Sequence, residues 1–181
     1  MAMTLITTNT SSNAASSSFT SSIDSTYKLY IFKFYDVNPA TDEVQFQFNG
    51  SDDTSSHSYD ITKTTTWIET ANDEQGNSIA TNYRTSNDLA QSTSFSDLTR
   101  NLSYDADSSS AGTLWLFNPS NTTYVKHFMS DATSLAQSNP VDYVQYNHSG
   151  GYFNTTAAIT AIQFKMSSGN MDAVIKMYGV G

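Results

Sequence analysis

The chain has 181 residues, enough for one domain that buries its own core without external staples. It contains no cysteine, which excludes thiol catalysis, cysteine-bound metal and a disulfide scaffold. Its net charge of −9, from 17 acidic and 8 basic residues, opposes a phosphate backbone, so no nucleic-acid partner is expected.

Only 14% of residues are charged, while 13% are aromatic. Ser, Thr and Asn supply the remaining polarity. Tyr, Phe, Val, Ile and Thr suit a pleated, half-buried surface, and the Ala, Glu and Lys content of a helical protein is missing. No run of about 18 apolar residues occurs, so no membrane span is expected. The first 20 residues lack the basic and apolar regions of a signal peptide.

Residues 1–22 are rich in Ser, Thr, Ala and Asn and cannot bury enough apolar area to fold alone. Leu5, Ile6 and Phe19 are their large apolar residues. They fit an arm that becomes ordered by adding a strand to a neighbouring subunit. The folded domain is expected over residues 23–181. Tyr27 to Val37 is a dense aromatic and aliphatic run, expected as a strand buried on both faces. The cluster at residues 38–42 reads as a turn. Glu43 to Asn49 alternates strictly, with Val44, Phe46 and Phe48 on one side, as a strand with one wet face does. After a polar loop, Tyr59 to Trp67 is a Thr-rich strand. Residues 69–112 carry short apolar islands among Asn, Asp, Ser and Thr, and two or three short strands are expected there.

Gly112 to Asn118 and Thr122 to Met129 flank Pro119-Ser120-Asn121 as a hairpin. Val141 to Tyr146 is a short strand, ended by a break at Gly150-Gly151. Ala158 to Met166 and Ala173 to Tyr178, joined by Ser167-Ser168-Gly169-Asn170, read as a second hairpin. Eight to ten short strands with polar turns imply an all-β single β-sandwich, jelly-roll-like, with the extended N-terminal arm attached. No fixed period is present, which argues against a solenoid or propeller.

No P-loop, GxSxG, HExxH or GxGxxG motif occurs, and no enzymatic activity or cofactor is expected. His57, His127 and His148 are far apart in sequence and lack metal-ligand spacing. Asp105, Asp107 and Ser109 resemble the start of a calcium loop but lack its glycine and terminal Glu. Asp60, Glu69, Asp73 and Glu74 offer carboxylates, but glycoside cleavage needs a pair at a fixed separation across a cleft. The loop tyrosines Tyr83 and Tyr104 are the candidates for stacking on a glycan ring. Trp115, inside Thr113 to Phe117, reads as core.

Four blocks carry a family resemblance: Phe19 to Asp42, Val44 to Asp52, Gly112 to Met129 and Gly151 to Val180. Their pattern resembles small structural and tail-associated β-sandwich proteins of tailed bacteriophages, especially those of marine bacteria and cyanobacteria. The ending SSGNMDAVIKMYGV is the most specific part. The resemblance implies a virion protein on the outer surface, assembled in the host cytoplasm against major capsid or tail proteins. It supplies no catalytic residue. A free-standing chain of this length without heptads fits a capsid decoration or cement protein. The alternative is a tail-fibre or receptor-binding domain recognising host-surface glycans. A homotrimer is expected by analogy with three-fold docking positions.

Overall fold

A computed structural model describes residues 2–77, 79–138 and 141–181. The described residues are all-β, with twelve strands in two antiparallel sheets facing each other as a β-sandwich. The strands are β1 Met3–Ala14, β2 Ser17–Phe19, β3 Leu29–Pro39, β4 Phe46–Ser51, β5 Lys63–Asp73 and β6 Ile79–Tyr83. They continue as β7 Ser96–Asp97, β8 Ser110–Phe117, β9 Lys126–Ser138, β10 Val141–Phe153, β11 Ala161–Met166 and β12 Met171–Val180. The wide sheet has eight strands in the order β1-β12-β3-β8-β9-β10-β5-β6, and the narrow sheet has four in the order β2-β11-β4-β7.

The core forms where the narrow sheet covers β12, β3 and β8. Tyr30, Phe32 and Phe34 of β3 and Leu114 and Leu116 of β8 face Phe46 and Phe48 of β4 and Phe164 of β11, all fully buried. Phe34 meets Phe46 edge-on at 5.2 Å between centroids, and Phe48 meets Phe128 at 5.0 Å. Edge-on rings of this kind add about 0.5–1.5 kcal/mol each to the burial of their area. Ile31, Lys33 and Tyr35 point out of the other side of β3, with Tyr35 exposed, so the run is covered fully on one face only.

Several expected elements sit differently. Residues 3–14 do not project as an arm: β1 is the edge strand of the wide sheet, paired along β12 from Met3–Val180 to Ala14–Met171. β2 pairs with β11 in the narrow sheet, and Phe19, 3% exposed, packs edge-on against Phe32 at 5.3 Å. Ile6 sits at a bulge in β1 and packs against the core. Phe19 and Ile6 are therefore consumed by the chain's own core, and of the expected arm contacts only Leu5 is exposed. The boundary expected at residue 22 falls between two strands of one sandwich. Burial of Ile6 and Phe19, with backbone pairing along β12 and β11, holds these residues in the two sheets.

β11 and β12 do not form a hairpin. β11 lies in the narrow sheet and β12 in the wide one, so residues 167–170 turn a corner between sheets, with Gly169 at φ +74°. β10 runs unbroken through Gly150 and Gly151. The glycine at 151 is required because a Cβ there would lie 2.5 Å from the Thr64 carbonyl oxygen. Beyond Phe128 and Phe153, which Phe48 still covers, the narrow sheet gives out under β9 and β10. The segment between β6 and β8 takes its place, holding Leu98 and Leu102 in the core and adding only β7 as a strand.

Candidate functional site

The outward side of the wide sheet carries most of the exposed large apolar residues of the fold in ordered rows. Side chains on one face of a sheet line up across strands wherever the register is continuous. One row runs Leu5, Tyr178, Ile31, Trp115, Met129, Gly150, Thr66 across seven strands. Leu5 is 51% exposed and Met129 42%. On one side lies a row that begins Met3, Val180, Leu29, Phe117 and continues with His127, Tyr152 and Thr64. On the other side the row is polar: Thr8, Lys176, Lys33, Thr113, Asp131, His148, then Ile68 and Tyr83. Beyond it come Ala111, Thr133, Tyr146 and Thr70.

Shallow depressions mark this face, two of them over its glycines. The larger, about 530 Å³, lies over Gly150 and is walled by Phe117, His127, Met129, Tyr152 and the threonines of β5. It exists because Gly150 has no side chain; a Cβ there would meet only the Phe128 carbonyl oxygen, at 3.9 Å. The second, about 350 Å³, lies over Gly112 between Lys33, Tyr35, Asp131 and Tyr146. Asp131 accepts a hydrogen bond from the Tyr146 hydroxyl at 2.9 Å and lies 2.5 Å from His148 Nδ1. The Asp131 carboxylate pushes the Tyr146 hydroxyl pKa above its ordinary value. The group is a half-exposed polar cluster with hydrogen-bonding capacity toward a partner.

Inward of β5, β9 and β10 lies a closed set of buried polar groups. Glu69 is fully buried and receives Arg84 at 2.5 Å, Arg100 at 3.3 Å and Gln145 at 3.0 Å. Asp97 accepts from Gln47 and Asn87, and burial raises its pKa. Trp67 is buried beside it, with Nε1 donating to the Asp97 carbonyl oxygen at 3.3 Å. Lys63 and Lys126 flank Phe153 from the neighbouring strands. Lys63 Nζ donates to the carbonyl oxygens of Ile61 and Ser94, and Lys126 Nζ to that of Thr155. Burial pushes the Lys63 pKa down to about 7 and lowers that of Lys126. These groups tie loops to the sheet; each buried charge is already engaged.

The residues singled out from the sequence are scattered. Asp105 accepts from Ser103 Oγ in an exposed turn, with Asp107 and Ser109 exposed nearby in sequence. No cluster of three or more His, Asp or Glu at metal-binding distance occurs among the described residues. Asp60 is held by Ser58, and Asp73 caps the turn at Gln75 and Asn77. Tyr83, 57% exposed, stands on β6 at the end of the polar row and donates to Asp88. Tyr104, 53% exposed, lies on the separate segment before β8. Trp115 faces outward rather than into the core, and nothing in the sequence singles out Met129, Asp131, His148 and Gly150 as its neighbours on one face. In Thr113 to Phe117 both parities are apolar, and that was the signal that an apolar side chain also faces outward. Comparison with protein-family models, with curated protein sequences and with solved structures found no match.

Proposed function

We propose that this chain is a non-enzymatic structural protein on the exterior of a tailed-bacteriophage particle, a decoration or cement protein whose outward sheet face is its contact surface. The observation that supports this reading most is the seven-strand row from Leu5 to Thr66, which leaves Leu5 and Met129 exposed on a broad, ordered β-surface. An ordered apolar stripe with a polar row along one side is the pattern of a protein-contact face. The chain alternates repeatedly between the two sheets, as a jelly-roll-like sandwich does. Such a rigid sandwich orders the face before it binds, which limits the entropy lost on docking. Many copies on a lattice then act together, so each contact can be modest.

The second reading is a receptor-binding domain for host glycans. The half-exposed Asp131, His148 and Tyr146 cluster favours it, since such groups hydrogen-bond sugar hydroxyls.

The test adds purified protein, and its Met129→Glu variant, to particles stripped of or lacking this protein, with occupancy read by imaging. The wild type is expected to saturate fixed exterior positions and the variant to leave them largely empty. Absence of wild-type binding to any part of the particle overturns the proposal. Binding confined to the tail tip together with a positive glycan array moves it to the second reading.

A further inference from the structure

The register across the wide sheet is complementary to itself, and we infer that the outward face is occupied by a second copy of this chain, stacked about a two-fold axis parallel to β8. This names the neighbour that the contact face proposed above meets and rests on that reading: the particle carries the chain as dimers, and Met129→Glu empties its positions by breaking them. Facing sheets pack about 10 Å apart, with strands about 4.8 Å from their neighbours within a sheet. A two-fold axis along β8 puts β8 over β8, β3 over β9, β12 over β10 and β1 over β5, and it keeps every row opposite itself.

Three features then match. In the apolar row, Tyr178 lies opposite Gly150, so an aromatic ring meets the depression of about 530 Å³, while Ile31 lies opposite Met129 and Trp115 opposite Trp115. In the polar row, Lys33 lies opposite Asp131, so both charged contacts next to the axis pair opposite signs. The bulky half of the face (β1, β12, β3) meets the open half (β9, β10, β5). Four rows over six strand spacings cover about 29 by 20 Å, or about 1,200 Å² counted over both copies, the lower end of a stable interface. The match is isologous, which gives a closed dimer; a trimer needs two different patches to meet.

The chain has no cysteine, so a single introduced thiol reports on the axis. Thr113 of β8 is expected to sit against its own copy, whereas the two Thr70 residues of β5 stand six strand spacings, about 29 Å, apart. Purified full-length protein is examined by analytical ultracentrifugation at micromolar concentration with no particles present. A dimer is expected. Lys33→Asp or Asp131→Lys alone should weaken it at least tenfold, and the double reversal should restore it. With a short bismaleimide, Thr113→Cys should give a covalent dimer and Thr70→Cys should not. A monomeric wild type, a dimer indifferent to both reversals, or equal cross-linking at the two positions overturns the inference. The cross-linking pair decides the matter if a charge variant fails to fold. A monomer that still occupies particles through Met129 refutes the second copy alone; a dimer that ignores particles refutes the wider reading alone.

Discussion

Lys63 shows how a single residue couples this fold to pH. Its ammonium is buried, bonded only to two backbone carbonyls, and its pKa falls from 10.5 to about 7 because burial disfavours the charged form. Between those values the unfolded chain holds the proton and the folded chain does not. The unfolded state therefore binds more protons, and stability rises with pH across that window. Below pH 7 both states are protonated and the full penalty of burying the charge applies. Lys63→Met removes the titration while keeping the stem's volume. The wild type should gain about 3 kcal/mol on the variant between pH 6.5 and 9.5 in urea unfolding. Parallel stability curves for the two proteins would show that Lys63 keeps an ordinary pKa. The alternation of the Thr-rich run puts Lys63 on the parity of Ile61 and Trp67, but nothing local in the sequence shows what covers its ammonium. Its burial comes from Phe153 and the Ser92–Ser94 segment, which the chain brings over it from far away in sequence. Trp115 was misread for the complementary reason: its neighbours Leu114 and Leu116 do fill the core, and only the strand register shows which parity turns outward.

Among the elements, β10 ties the most to its glycines. Gly151 faces inward, where a Cβ would lie 2.5 Å from the Thr64 carbonyl oxygen and 2.8 Å from the Phe128 ring. Gly150 faces outward into open space. Substitution of adjacent glycines should thus act in opposite directions. Gly151→Ala should destabilise by about 1–3 kcal/mol through overpacking, while Gly150→Ala should be neutral or slightly stabilising, since Gly weakens a strand interior. Thermal melts of the two variants check this, and equal losses would mean that β10 does not continue through the pair. The sequence reading placed a break here because Gly-Gly ordinarily punctuates a strand. What it could not see is that two long neighbours, β9 and β5, clamp the pair on both sides. The alternating segment β4 was legible, because period-two patterning over a one-sided core is a local signal, whereas β8 was legible as a strand but not in its faces. Pairing was not: β11 and β12 look like a hairpin, yet Phe164 and Ile175 face each other from different sheets, and only the three-dimensional core decides that. The face proposed as the contact site was illegible for the same reason, since its rows exist only once seven strands are in register.

At the scale of the molecule, the two ends of the chain are neighbours. Met3 pairs with Val180, and β12 lies between β1 and β3, so the last strand completes the wide sheet. Contacts of such long sequence separation fold slowly, because loop closure precedes the interactions that offset it. The same adjacency permits rearrangement of the chain order. Joining the termini through a short Gly/Ser linker spans little distance, and the turn at Asp73 to Asn77, with Gly76 exposed at φ +70°, offers a place to reopen the backbone. A permutant beginning at Gly76 and ending at Gln75 keeps both sheets and turns the β5–β6 connection into termini. It should unfold cooperatively, within about 2 kcal/mol of the parent, because exposed turns tolerate such openings while the closed ends remove chain entropy. It should also fold faster, since the β1–β12 pairing becomes local. Stopped-flow refolding and urea melts measure both quantities. A permutant that fails to fold, or refolds no faster, would mean that closure of the first and last strands is not the slow step, and that assembly of the segment between β6 and β8 under the wide sheet limits folding instead.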